Sequence, residues 1–491
     1  MRKIFIFLFG VFGLALLLIA FIVVTRTLMV AAPVSSADLE KPNFVQVDKE
    51  AAAGRLSKAL QFRTVSIQDR AAQDTTEFTK FQDWLLETYP EFHAAVKTEK
   101  VADLTPIHTW QGIDTSLDPL VFLAHQDVVP ALETTKGWDF PPFDGVVANG
   151  FIYGRGTLDD KGSLIGILEA ANRLAKSGFM PKRTLIFVFG HDEEVTGYGA
   201  KAAADLMEAR GIAPYAVFDE GGAVVSGVVM EGQAAVLGVA EKGYLTLTLT
   251  AEAVGGHSST PPEYTAVGAL SRAIVAIENN PFKRNFDPVT REMIKALAPH
   301  QPFVERAFMS NLWLFGPLVK SSFMKEDTTR ALLGTTIAPT IFNAGFKENA
   351  MPREATAMVN FRLHSRDSAQ SVIDHVTRVI DNPKIKITLP ESLDSEASPI
   401  SQIGTGPYVM IADVLRRSFD GVPIVPNTVT GATDSRFFTN VTSDIYRFTP
   451  IQTTAEDLKG FHGINERISI DAHARSIQVY HLLMQESGKN P

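Results

Sequence analysis

Residues 188–200, VFGHDEEVTGYGA, run an apolar strand into a histidine and three consecutive acids. Most charge runs are solvated loops and carry no chemistry. Here the preceding segment, TLIFVFG, is β-branched and aromatic and calls for cover on both faces. Carboxylates crowded at the end of a buried strand repel one another, so the arrangement calls for a cation. A two-metal hydrolase needs one carboxylate on a metal and a neighbour free to take a proton from water, and the adjacent Glu193 and Glu194 suit that division.

Further donors lie at comparable places. His125 and Asp127 follow PLVFLA; in an extended segment residues i and i+2 point the same way, so Asp127 can accept from the second imidazole nitrogen and orient the ring. GRGTLDDKG, residues 154–162, sets Asp159 and Asp160 at a loop-to-helix junction, where capping is the plainer use and bridging of two cations by Asp159 the chemical one. YAVFDEGG offers Asp219 or Glu220, and GFHGINERI offers His462 in a Gly-flanked loop. Each is ordinary alone. Five such sites, all with oxygen or imidazole donors, point to one centre.

The elements that must position these residues are short apolar runs ending in polar residues: PLVFLAHQD, TLIFVFGHDEE and YAVFDEGG. Between the first two, Leu164, Ile165, Ile167, Leu168, Ala171 and Leu174 form a helical stripe that Gly178 can stop. Strands alternating with helices predict a doubly wound α/β sheet, whose strand C-termini form the ligand edge. From Lys242 the texture changes. GYLTLTLTAEAVGG alternates on a period of two, as does ATAMVNFRLHSR, and residues 242–390 read as an inserted α+β domain. Within it, residues 281–335 are apolar without clear strand signals. The expected organisation is a catalytic domain split by the insertion, its first segment 47–241 and its second 391–491.

The chain of 491 residues exceeds what one core usually serves. It has no cysteine, which excludes disulfides and thiolate metal sites. A net charge of −9 without a basic stripe argues against nucleic acid. Ile4–Val24 is uncharged, and its 21 residues at about 1.5 Å each reach roughly the thickness of a hydrocarbon core. Arg2 and Lys3 ahead of it favour a cytoplasmic N-terminus. Residues 1–30 therefore read as an anchor or a signal segment and 31–46 as a tether, with an extracytoplasmic body, secreted if the segment is cleaved.

The motif series HQDVVP, GRGTLDDKG, GHDEEVTGYGA, DEGG, GGHSSTPP and HGINE resembles that of the dizinc aminoacylase/carboxypeptidase family, in order, from about residue 45 to the C-terminus. The N-terminal segment, SNLWLFGPL and VNFRLHSR resemble its carboxypeptidase S and N-fatty-acyl-amino-acid synthase/hydrolase branch. The resemblance implies two zinc ions, with His125 on one, His462 on the other and Asp159 bridging. It also implies Glu194 as a terminal ligand, Glu193 as general base and Asp127 behind His125. Glu220 is preferred over Asp219 as the last ligand, by its offset from Tyr215. The insertion becomes a lid and dimerisation domain whose His257 serves the oxyanion, and Arg362 and Arg436 hold a substrate carboxylate. Gly431 and Thr433 are placed near the site. The implied activity is hydrolysis of an amide beside a free-carboxylate amino acid, in a peptide or an N-acyl amino acid. A non-catalytic, membrane-tethered binding protein on the same scaffold is the alternative.

Overall fold

The protein opens on a single helix, Arg2–Leu28, in a computed structural model that describes residues 2–34, 36–132, 136–389, 395–404 and 406–488. Its stretch Ile4–Leu28 has a mean hydropathy of 3.0 and is long and apolar enough to cross a membrane. Phe5, Phe9, Leu14, Leu17 and Phe21 are exposed along it. Apart from one short turn at Ser36–Asp38, the described stretch of the expected tether is irregular.

The body is built on a ten-stranded mixed sheet. At its centre Leu185–Gly190, Leu120–His125, Ala216–Asp219 and Ile445–Arg447 lie side by side and parallel. The hairpin Lys97–Val101 and Thr105–Trp110 flanks them antiparallel on one side. On the other, Gln233–Glu241 meets Ile445–Arg447 antiparallel. The doubly wound expectation thus holds for the centre and is corrected at the flanks, where antiparallel pairing makes the sheet mixed.

Successive residues of Leu185–Gly190 face opposite ways. Leu185, Phe187 and Phe189 enter one core cluster, with helices Lys49–Leu60, Lys161–Lys176 and Ile470–Glu486. Ile186 and Val188 enter another, with helix Tyr198–Ala209. Each such side chain contributes about 1.5–3 kcal/mol by leaving water. Cover on both faces is why this strand reads as an unbroken apolar run.

A second sheet orders Thr336–Ala344, Glu354–Leu363, Gly243–Glu252 and Ile385–Thr388, all antiparallel. Leu245, Leu247, Leu249 and Ala251 are buried in a core of its own, with helices Ala266–Asn279 and Ala369–Ile380. The period-two reading of both long strands holds. Residues 281–335 fold as helices Pro288–Leu297, Phe303–Ser310, Leu312–Phe323 and Asp327–Ala331. Val289, Met293 and Leu297 recur at four-residue spacing, and the last two pack on Ala234 and Val425 of the large sheet. These helices roof the large sheet, although their sequence lies within the expected insertion. The expected boundary at 390/391 falls outside the described residues.

Candidate metal centre

The parallel alignment of the central strands delivers the donors to one edge. His125 ends its strand, Glu193 and Glu194 follow Leu185–Gly190, and Asp219 and Glu220 close the next. Asp159 and Asp160 sit ahead of helix Lys161–Lys176, joined by a cis peptide. Gly162 is required there, since a Cβ would stand 2.1 Å from the Thr157 carbonyl oxygen. His462 comes from the far end of the chain and adopts a left-handed backbone, φ 54°, which costs a non-glycine residue roughly 1–3 kcal/mol and marks sites where surrounding structure imposes it.

The two carboxylate oxygens of Asp159 serve different neighbours. Oδ1 lies 2.9 Å from His125 Nε2, and Oδ2 lies 2.7 Å from His462 Nε2. Glu220 Oε1 stands 3.4 Å from the same His125 nitrogen, and Glu194 Oε2 stands 3.1 Å from the same His462 nitrogen. Donor atoms of a tetrahedral zinc, each ~2.0–2.2 Å from the ion, are separated by roughly 3.3 Å. The histidine-to-carboxylate distances bracket that spacing, and His125, Asp159 and Glu194 bring one donor atom each within 4.8 Å of one another. Asp219 is otherwise engaged: its carboxylate accepts from the backbone N–H of Glu220 at 3.0 Å and of Ser435 at 2.8 Å.

The electrostatics also fit a pair of cations. Burial pushes the Glu193 and Glu220 carboxyls well above their ordinary range, and neighbouring acids add to the push. Burial opposes charge on His125, yet hydrogen bonds with Asp127, Asp159 and Glu220 raise its pKa well above the usual imidazole value. Hydrogen bonds to Asp159 and Glu194 raise His462 to about 10. The imidazoles are thus drawn into acting as cations for an excess of acids. Glu194 Oε1 and both Asp160 oxygens are buried and, among the described residues, have no hydrogen-bond partner. Asp160 also stands with His125 and Glu220 in a group of metal-ligand spacing.

Asp127 links the histidine to the glutamates. The Nδ1 of His125 lies 3.0 Å from the Asp127 carbonyl oxygen and 3.3 Å from its carboxylate. That carboxylate accepts from Ser66 Oγ and from the backbone N–H groups of Glu193 and Glu194, at 2.6, 3.2 and 3.1 Å. Glu193 itself keeps a largely buried carboxylate 3.7 Å from Arg436 Nη1.

A cavity of about 1210 Å³ opens over this edge, larger than the roughly 300–1,000 Å³ of most ligand sites. Asp159, Glu193, Glu194, Glu220 and His462 line its polar end, with Arg362, Arg436, Gly431 and Thr433. Arg362 stacks on Tyr244 at 4.7 Å and, among the described residues, makes no ion pair. Much of the rest of the wall is apolar, including Val225, Met293, Leu297, Met309, Phe323 and Leu332. His257 is not brought there. It is exposed on a two-stranded ribbon with Ala350–Met351, its Nδ1 bonded to Ser259 Oγ at 2.8 Å, outside the cavity-lining set of the described residues.

The motif HGINE ends in a glutamate to which the sequence alone assigns no task. Glu466 is fully buried and accepts from the backbone N–H groups of Gly156, Leu158 and Asp159, at 3.0, 2.8 and 3.3 Å. It also pairs with Arg155, which donates to the Gly463 carbonyl at 2.9 Å. Glu466 and Arg155 therefore tie the Asp159 loop to the His462 loop. An acid four residues beyond a candidate ligand was the available signal.

A model of peptidase family M20/M25/M40 matches residues 121–486. The chain is 36% identical over 444 residues to probable carboxypeptidase S-like 2 of Dictyostelium discoideum, covering 89% of this chain and 85% of that one. It is 37% identical over 438 residues to the N-fatty-acyl-amino acid synthase/hydrolase PM20D1 of Xenopus tropicalis, covering 88% and 85%. The fold is similar to that of an M20 family metallo-carboxypeptidase from Sulfolobus solfataricus, with TM-score 0.66 at 18% identity over 90% of this chain and 99% of that one.

Proposed function

The chain belongs to peptidase family M20/M25/M40, whose members are dizinc amidohydrolases, and from that premise we propose that it hydrolyses the amide of N-acyl amino acids whose acyl half is hydrophobic. The observation that carries the reading is Asp159, one oxygen on His125 and the other on His462. His125, Asp159 and Glu220 would hold one ion, and His462, Asp159 and Glu194 the other.

When bound, the ions polarise the substrate carbonyl as Lewis acids and make water a stronger acid. The chain's own residues supply the rest. Glu193, held by the backbone bonds of its loop to Asp127, takes the proton of the attacking water and returns it to the departing amine nitrogen. Arg362 and Arg436 receive the amino-acid carboxylate, the planar anion that a guanidinium fork suits. The apolar wall takes the acyl half. His257 reaches the developing oxyanion only in a pairing of two copies, one lending its second sheet to the other. Helix Ile4–Leu28 anchors the chain in a membrane, with the body extracytoplasmic.

The test is hydrolysis of acetyl and long-chain acyl forms of one amino acid, with zinc content measured on the same samples. Chelator-sensitive turnover favouring the long chain is expected. A preference for acetyl rejects the hydrophobic half, and turnover insensitive to chelation rejects the metal mechanism.

A further inference from the structure

The roof helices Phe303–Ser310 and Leu312–Phe323 have two faces. One puts Met309 and Phe323 into the cavity wall. The other carries Val304, Trp313 and Leu318, which are 58%, 53% and 61% exposed, beside the exposed Phe303 and Leu314. Phe308 and Phe315 join the two helices at 4.8 Å between ring centroids, which makes the outer face continuous. Soluble proteins seldom leave this many large apolar groups together in water.

The neighbour of that face identifies its occupant. The end of the apolar N-terminal helix packs on Phe303–Ser310, and the junction is polar and closed. Thr27 and Asn311 are fully buried, and the Asn311 amide donates to Thr27 Oγ1 and to the Val23 carbonyl, both at 3.3 Å. It donates also to Ala307 O at 2.9 Å, while its own oxygen accepts from Trp313 Nε1 at 3.3 Å. From Ile4 to Val23 a helix rises about 29 Å, close to one hydrocarbon thickness. The Asn311 junction therefore lies at the level where the apolar core ends, which is where an amphipathic Trp is favoured.

We propose that the outer face of the two roof helices is seated in the boundary of a lipid bilayer, beside the N-terminal helix. The inference rests on the reading of Ile4–Leu28 as a membrane anchor. It sets one wall of the apolar cavity against lipid, the phase in which a long acyl chain dissolves.

The absence of native cysteine allows a direct test on the full chain. Single variants Val304→Cys, Leu318→Cys, Leu16→Cys and Ile113→Cys are nitroxide-labelled and reconstituted in phosphatidylcholine/phosphatidylglycerol vesicles. Collision with oxygen and with a water-soluble nickel chelate is read by electron paramagnetic resonance. Leu16 reports the anchor alone, and Ile113, an exposed site on the loop after Thr105–Trp110, reports water. Labels at 304 and 318 are expected to be several-fold less accessible to nickel than the label at 113, with oxygen collision approaching that at 16. Nickel access at 304 and 318 equal to that at 113, with 16 embedded, overturns the seat and leaves the anchor standing. Nickel access at 16 overturns both. Dipolar broadening at 318 shows a second copy on this face and also overturns the proposal. None of these readouts depends on turnover.

Discussion

His462 Nε2 stands 2.7 Å from Asp159 Oδ2, although the two residues are 303 positions apart in the sequence. The contact explains why HDEE is tolerable at the end of a buried strand. Glu194 leans on the same imidazole at 3.1 Å, and Glu193 lies one residue back without a histidine of its own. The two glutamates thus differ in their neighbours, Glu194 beside His462 and Glu193 beside Arg436, as the proposed division into ligand and base requires.

Glu193→Gln should keep both zinc ions while turnover falls by about 10²–10⁴, the usual contribution of a general base. His125→Ala should lose metal together with activity. Elemental analysis beside kcat checks both, and near-normal turnover of a zinc-loaded Glu193→Gln enzyme would contradict the base assignment.

Glu466 is not among the cavity-lining residues, yet three backbone N–H groups of the Asp159 loop end on its carboxylate. Glu466→Ala should weaken zinc retention by roughly 10–100-fold, the range for residues that orient metal ligands. Glu466→Gln, which keeps one acceptor oxygen and the side-chain volume, should lose less. Competition with a chromogenic chelator measures the order, and equal retention in all three proteins would remove Glu466 from the site.

Arg362 is the cleaner of the two arginines to test, because Arg436 also faces Glu193 at 3.7 Å. Removing a charge-assisted contact costs about 1.5–3 kcal/mol. Arg362→Ala should therefore raise KM by about 10–150-fold for a free-carboxylate substrate. The matching methyl ester should be hydrolysed as before. A KM change of the same size for acid and ester would assign Arg362 to packing on Tyr244 instead.

His125, Glu193, Glu194, Asp219 and Glu220 were legible as candidates because they follow apolar runs whose parallel order brings their ends together, whereas Asp159 and His462 stand in glycine-rich loops and were legible through their motifs. The flanks were not. Lys97–Val101 is a polar edge strand, KTEKV, with no alternation to read, and its hairpin partner Thr105–Trp110 joins Leu185–Gly190 antiparallel, which makes the sheet mixed. The helices of 288–323 were legible as apolar but not as cover for the large sheet, because a stripe such as Val289, Met293 and Leu297 does not say which surface it meets. His257 sits in a motif that reads as catalytic, and its distance from the cavity depends on how the second sheet is carried, which no local pattern encodes. Asp219 against Glu220 was undecidable from adjacency, since only the fold shows that two backbone N–H groups already occupy Asp219.

Two histidines far from the centre set an acid limit on stability. Burial holds His108 at about 3 and His473 at about 4, so both stay neutral in the fold while the unfolded chain accepts protons below about 6.5. The unfolded state then binds more protons, and stability falls as pH drops from 6.5 toward 4. For His473 the loss is of order 3 kcal/mol by pH 4. Thermal melts of His473→Leu should lose some of that slope, and an unchanged slope would place the acid sensitivity elsewhere.

The apolar wall should act as a ruler for the acyl chain. Each methylene moved from water contributes about 0.8 kcal/mol, so preference for a longer chain grows with every carbon the wall can hold. Met309 lines that wall from the roof helix Phe303–Ser310 and is not among the polar residues at the metal end. Met309→Trp therefore shortens the space without touching the chemistry. Its kcat/KM for an acetyl amino acid should match the parent, while that for a sixteen-carbon acyl form falls at least tenfold and the optimum moves to shorter chains. An unaltered length profile would mean that the acyl half lies elsewhere, and equal losses for acetyl and long-chain forms would mean that the roof had shifted as a whole.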